Sequence, residues 1–432
     1  MDKICIQGGA RLTGRVRASG SKNATVAIMA GAVLAEEPVT LRNIPRITDT
    51  HTMVELLNAL GAPTRWLDDT SVLIDPSNVL WTEAPYDLVR KMRASFHVLG
   101  PLLARFGHSR VPVPGGCNIG ARPVNYHIEG LKRLGAQIHL EHGVYTTEAP
   151  RLHGANIYFD SQSPGATEHL MTAAALAHGT TVMENCATEP EVQDLAGFLN
   201  TLGARIEGAG TTTLTIHGVE RMHGGEYTVI SDRMEAATYA VAGAITGGDI
   251  IIDNIDMDHL KPVTSKLMEA GVEVHEGKHG LRVRLDGRPK AVDVRTVPYP
   301  GFPTDMQQPF AALLSIADGT SVITETIYEN RFGYVNELVR MGANVTAEGR
   351  TAVIKGVDRL TGAEVVATDL RAGAALLCAG LAADGETELS GVQHLDRGYE
   401  NVVTKLQSLG ATITRATGGQ DEERGGARVC SL

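Results

Sequence analysis

Cysteine is scarce in this 432-residue chain: Cys5, Cys117, Cys186, Cys378 and Cys430 are its five copies, and no two form a C-x-x-C pair. That argues against a disulfide framework and a cysteine-built zinc site, and it fits a reducing, cytoplasmic setting. Positive charge is in deficit as well, with 39 Lys and Arg against 50 Asp and Glu and a formal charge of −11. General attraction to nucleic acid or an anionic membrane is thereby excluded, so any basic site has to be local. No apolar run reaches the roughly 18 residues that span a bilayer, and the opening MDKICIQGG lacks a signal-peptide core. Neither G-x-G-x-x-G nor G-x-x-x-x-G-K-[ST] occurs, which rules out nucleotide binding through those loops. The 15 histidines have no H-E-x-x-H or comparable spacing. They read as surface or packing residues, and neither a catalytic metal nor another cofactor is expected.

What is present is ordinary globular material, 43% apolar and 21% charged, long enough for about two to four domains. It is also repetitive. Six segments end an apolar helical stretch in Leu-Gly-Ala or a variant and run into an alternating strand: LLNALGAPTRWL, LKRLGAQIHLE, FLNTLGARIEG, KLMEAGVEVHE, LVRMGANVTAE and KLQSLGATITR. Their glycines, Gly61, Gly135, Gly203, Gly271, Gly342 and Gly410, recur every 68–74 residues. Glycine at that place suits a left-handed cap that ends the helix and releases the chain. A second phrase recurs in step, an Ala-rich helix with few charges on any face, a small turn and an alternating strand, as in GATEHLMTAAALAHGTTVMENC. Such helices are expected to be buried all round.

Each repeat therefore reads strand, buried helix, strand, loop, outer helix, strand, strand. Six of them exceed one core, and a grouping of three and three gives two similar α/β domains. The expected domains are 22–231, and 1–21 with 232–416; the tail 417–432 lacks periodicity and reads as loose.

Charged residues gather where the buried helices are expected to begin: Lys22 and Asn23, Arg93, Asp232 and Arg233, Asp305, and Asp369 with Arg371. A helix start has unsatisfied N–H groups and partial positive charge, which favours anions. Loops after the second strand of each repeat add Cys117 and Arg122 in PGGCNIGARP, Glu189 and Glu191 in ATEPE, Glu329 and Arg331 in TIYENRF, and Arg397 in HLDRGYE. One such residue alone is most simply a cap or a surface ion pair. Arginines recurring at matching places in an acidic chain suggest a ligand with several anionic groups. Cys117 is the most reactive-looking thiol, in a Gly-Gly-Cys loop near Arg122, whereas Cys5 and Cys378 read as core.

The motifs GSKNA, KMRAS, PGGCNIGARPV, FPTDMQ, ENRF, ATDLRA and DRGYE resemble those of the UDP-N-acetylglucosamine enolpyruvyl transferases (1-carboxyvinyltransferases), and the resemblance runs from about residue 1 to residue 415. It implies two inside-out α/β barrel domains, each of three βαβαββ-type units, with the active site in an interdomain cleft that closes on the sugar. It also implies enolpyruvyl transfer from phosphoenolpyruvate to the sugar 3-hydroxyl, through a tetrahedral intermediate. By resemblance Lys22, Asn23, Arg122, Arg331, Arg371 and Arg397 bind phosphoenolpyruvate. Asn23, Arg93, Arg122, Pro123, Val124, Asn125, Tyr126, Ser161, Gln162, Ser163, Pro164, Asp305 and the backbone of Ile327 meet the nucleotide sugar. In the same reading Cys117 is the general acid and the target of fosfomycin, Asp305 takes the hydroxyl proton, Asp369 assists proton handling near the adduct, and Lys22 and Arg397 complete the catalytic set. The chain departs from the family at Asn125, where Asp is usual, and over Ser161–Pro164. Those departures keep a second acceptor, a uridine nucleotide such as UMP, in play. The PGGC loop argues against the shikimate-pathway sibling, and the joint presence of the catalytic set argues against an inactive nucleotide-sugar sensor. Phosphoenolpyruvate and the nucleotide sugar are the expected partners, with no nucleic acid or membrane and at most weak self-association.

Overall fold

The computed structural model describes residues 2–115, 124–277 and 280–416. The chain folds into two compact units, one built from 20–115 and 124–230, the other from 2–19 and 231–416.

In the first unit the central helices are Lys22–Gly31, Leu99–Phe106 and Pro164–Ala174. In the second they are Arg233–Ile245, Thr304–Leu314 and Leu370–Ala382. All 13 residues of Arg233–Ile245 are buried, as low charge on every face requires. Within each unit these helices pack on one another, and the strands of the surrounding sheets alternate buried and exposed residues. Helices inside and sheets outside make an inside-out α/β unit. All six Leu-Gly-Ala glycines have φ between 86° and 101°, so each is the left-handed cap its position requires.

The sheets share one plan. Strand Val294–Arg295 lies parallel to Thr320–Thr324, which pairs antiparallel with Thr351–Lys355, which pairs with Asn344–Glu348. Three departures from the contiguous repeat reading stand out. Strand Thr13–Arg17 precedes helix Lys22–Gly31 in the chain but pairs with Asp249–Asp253 in the second unit, while Gly225–Thr228 pairs with Val39–Arg42 in the first. The leading strands are thus exchanged where the chain passes between units. The last sheet takes its third strand from the N-terminus, Lys3–Gln7, set between Glu386–Ser390 and Thr412–Ala416. The sheet of His108–Pro112 has three strands, with only a parallel bridge from Glu83 to Arg110 where the fourth would lie.

At the crossings, Ser21 N–H donates to Ile230 O at 2.7 Å and Asp232 N–H donates to Ser19 O at 2.8 Å. Gly20 is required there, because a Cβ would fall 1.6 Å from Asn43 O. One helix start differs from expectation. Arg93 opens a 3₁₀ turn, Arg93–Val98, and the α-helix begins at Leu99. Pro101 has no N–H to give to the carbonyl of His97, so the α-helical ladder cannot extend upstream and the chain takes the tighter turn.

Candidate functional site

In the second unit Asp305 stands in the first turn of Thr304–Leu314, after the N-cap Pro303. Arg331 Nη2 donates to its Oδ1 at 2.6 Å, and Arg371 Nε donates to its Oδ2 at 3.0 Å. Both arginines are buried, at 3% and 4% exposure, while the Asp305 side chain is 28% exposed. Two guanidiniums on one partly accessible carboxylate make a charge-assisted cluster that stabilises the anion. Arg371 also donates to Tyr399 Oη at 2.9 Å, and Tyr399 meets Thr238 Oγ1 at 2.8 Å, which fixes the guanidinium plane.

Asp369 caps Leu370–Ala382: its Oδ1 accepts from Arg371 N at 2.9 Å and Ala372 N at 3.1 Å. That carboxylate is committed to the helix start, a bond of about 1 kcal/mol. Arg397 ends the 3₁₀ turn Val392–Arg397, half-buried. The Ile327 N–H is donated to Glu325 Oε1 at 2.7 Å, which leaves the carbonyl as the backbone group to offer a ligand. Glu325 itself, 1% exposed, also accepts from Thr296 Oγ1, Thr304 Oγ1 and Tyr328 N. This saturated carboxylate ties the Ile327 loop to the start of the Asp305 helix, and the sequence reading missed it. An acidic residue two before Ile327 in TETIYENRF was the available signal.

In the first unit Lys22 opens helix Lys22–Gly31, whose N-cap Ser21 accepts from Ala24 N. The Lys22 Nζ lies 3.0 Å from Asp49 Oδ2, a carboxylate only 3% exposed. Asn23 beside it is exposed, and Arg93 is half-buried. Val124 is 8% exposed and precedes helix Asn125–Arg133, with Asn125 exposed and Tyr126 half-buried. Tyr126 Oη sits 3.2 Å from Ser161 Oγ, which joins two of the segments expected to meet the sugar. Ser163 caps Pro164–Ala174 by accepting from Ala166 N at 3.3 Å, while Gln162 is half-buried and Pro164 exposed. Cys117, Arg122 and Pro123 lie outside the described residues. Cys186 and Cys378 are buried, and burial pushes both thiols up to about 12.

The sequence reading has the histidines as surface or satisfied packing residues, and three of them, His97, His127 and His169, cluster around Phe96 with ring centroids 5.0–6.2 Å apart. Glu168 lies beside them, its Oε2 3.8 Å from His97 Nε2. Burial, with Glu191 and Glu189 nearby, holds the Glu168 carboxyl well above the ordinary range, and burial holds His169 well below its own. Among the described residues no helix is long and apolar enough to cross a membrane, and no group of three or more His, Cys, Asp or Glu is arranged to hold a metal ion.

Comparison with known proteins finds relatives over nearly the whole chain. The chain is 52% identical over 96% of its length to the whole of a UDP-N-acetylglucosamine 1-carboxyvinyltransferase 2 of Carboxydothermus hydrogenoformans. It is 53% identical, over the same share and again the whole relative, to a UDP-N-acetylglucosamine 1-carboxyvinyltransferase of Trichlorobacter lovleyi. Among solved structures, the enolpyruvyl transferase NikO of Streptomyces tendae superposes with a TM-score of 0.88 at 31% identity, over 96% of this chain and 98% of that one. An EPSP synthase of Acinetobacter baumannii shares the fold, with a TM-score of 0.77 at 17% identity over 96% of this chain and all of the other. The family model for EPSP synthase (3-phosphoshikimate 1-carboxyvinyltransferase) matches residues 6–406, and the chain belongs to that family, the enolpyruvyl transferases.

Proposed function

We propose that this enzyme transfers the enolpyruvyl group of phosphoenolpyruvate to the 3-hydroxyl of UDP-N-acetylglucosamine and releases phosphate, the step that commits the sugar to peptidoglycan in the cytoplasm. The observation that carries the reading is Asp305, held between two buried guanidiniums at the start of an apolar helix. The names of relatives more than half identical over nearly the whole chain support the same acceptor.

The hydroxyl gives its proton to Asp305 and its oxygen attacks C2 of phosphoenolpyruvate, while Cys117 delivers a proton to C3. The resulting phospho-ketal loses phosphate and a C3 proton, which restores the enol. Lys22, Arg122 and Arg397 neutralise the phosphate, and Asn23 binds beside them. Asn23, Arg93, Arg122 to Tyr126, Ser161 to Pro164, Asp305 and the Ile327 backbone take the nucleotide sugar. Asp369 holds the Arg371 helix start in place. The carboxylate of phosphoenolpyruvate competes for Arg331 and Arg371, so its arrival frees the Asp305 oxygens to accept the hydroxyl proton.

Phosphate release from phosphoenolpyruvate, measured with UDP-N-acetylglucosamine and with UMP, tests the reading. Turnover with the nucleotide sugar is expected. Turnover with UMP alone transfers the reading to the other acceptor, and none with either removes it. A Cys117→Asp protein that stays fully sensitive to fosfomycin would contradict the role given to the thiol.

A further inference from the structure

The imidazole cluster of the first unit contains a hydrogen-bond chain whose proton positions are fixed by a backbone group. Gly100 N–H donates to His169 Nε2 at 2.7 Å. An amide N–H can only donate, and Gly100 lies in the first helical turn, where such donors have no partner within the helix. Therefore Nε2 of His169 carries the lone pair, and the proton of the neutral ring is on Nδ1. That Nδ1 lies 3.0 Å from His127 Nδ1. His127 must accept there, which puts its own proton on Nε2. A Cβ built at Gly165 would lie 3.7 Å from His127 Nε2 and 3.8 Å from His97 Nε2, so these edges face the first turn of helix Pro164–Ala174. Gly100 is what permits the approach, since a Cβ there would fall 2.9 Å from His169 Nε2.

The chain of bonds joins the two segments assigned above to the nucleotide sugar. His127 directly follows Tyr126, and His169 is one turn into the helix that Ser163 caps. Tyr126 and Ser161 already meet across the same gap. We propose that His169 is a positioning residue: it fixes His127 as the Nε2–H tautomer and so holds residues 124–126 against the start of helix Pro164–Ala174 in the geometry that takes the nucleotide sugar. This rests on the proposed acceptor reading. His97 Nε2 lies 3.8 Å from Glu168 Oε2, Glu191 and Glu189 act on the Glu168 carboxyl, and burial raises that carboxyl well above its ordinary range while it holds His169 well below its own.

Nitrogen-15 NMR of the imidazoles in the full-length protein, without any substitution, reads the tautomers directly. A protonated-type Nδ1 on His169 and a protonated-type Nε2 on His127 are expected; the reverse assignment on His127 overturns the proposal. His169→Leu removes donor and acceptor at similar volume and should raise KM for UDP-N-acetylglucosamine about tenfold with kcat nearly unchanged, the effect of one lost hydrogen bond on binding. His169→Gln, which restores a donor and an acceptor, should recover most of the loss. An unchanged KM in the leucine variant, or no recovery in a folded glutamine variant, overturns the role. Failure of the wild-type enzyme to use the nucleotide sugar would instead sink the acceptor reading and leave the NMR result standing.

Discussion

The two units share one plan of buried helices inside alternating sheets, yet they keep polar groups inside in opposite ways. The second unit uses full charges in pairs. Asp232 and Asp369 cap two central helices, Asp305 engages two arginines, and Glu235, 1% exposed, meets Lys405 at 2.7 Å. The first unit caps with Ser21 and Ser163 and buries hydrogen-bonded imidazoles beside a carboxyl that burial raises well above its ordinary range, with Lys22 paired to the buried Asp49. In both, the polar groups collect at helix starts, because those N–H groups need acceptors wherever the helix is buried. The difference teaches that one fold accepts either solution, and that pairing by charge or by tautomer decides how each unit responds to mutation, pH and salt.

The charge-paired unit should break most severely. Asp305→Ala leaves two buried guanidiniums facing each other without their shared anion, a loss of roughly 3 kcal/mol in thermal or denaturant unfolding. Phosphate release should fall by about a thousandfold or more if Asp305 is the base. A variant as stable as the parent would show that the two arginines do not depend on it.

In the first unit the largest effect concerns pH. Asp194 accepts from Tyr227 Oη at 2.8 Å and from Ile230 N at 3.2 Å, and burial raises its carboxyl to about 6. Its unfolded value is about 3.9, so between roughly pH 4 and 6 the native state holds a proton that the unfolded state has released. Stability from this group is therefore present below that window and declines as pH rises through it, by on the order of 2 kcal/mol. Asp194→Asn should remove that share of the slope, whatever it does to absolute stability. An unaltered slope in pH-dependent urea unfolding would contradict the assignment. Next in size, Gly100→Ala pushes against His169 and should cost about 1–2 kcal/mol of overpacking, with a rise in nucleotide-sugar KM as the relay opens.

Much of the fold was legible because its signals are local. A glycine that must adopt positive φ and a helix with no charged face are visible in a single chain, and the six caps and the buried helices follow from them. The exchanged strands Thr13–Arg17 and Gly225–Thr228, and the N-terminal strand Lys3–Gln7 that completes the last sheet, depend on pairing between remote segments, which periodicity does not encode. The site divides in the same way. Asp305, Arg331 and Arg371 carry a recognisable residue type at a recurring place, and the structure brings the three together. His97, His127 and His169 carry no metal-ligand spacing, and only the close approach of Gly100 turns them from packing residues into a relay.

The smallest expected effect is on the surface of the charge-paired unit, and it bounds what pairing means there. Arg282 reaches diagonally across neighbouring strands to grip Asp249 with two bonds, at 2.7 and 2.6 Å, but the side chains are 48% and 32% exposed. The hydrogen bond from Arg282 holds the Asp249 carboxyl below its usual value, so its contribution is present above about pH 4 and fades as pH falls. In water the Coulomb gain is largely offset by hydration and side-chain entropy, and Asp249→Asn should cost less than about 1 kcal/mol. Raising salt should shrink that difference further, since exposed charges are screened within about 10 Å at 0.1 M. The Asp305 cluster, with both arginines buried, should keep most of its effect in the same salt series. Equal salt sensitivity of the two variants would mean that the buried cluster is wet, and the contrast between the units would then rest on the first unit's imidazoles alone.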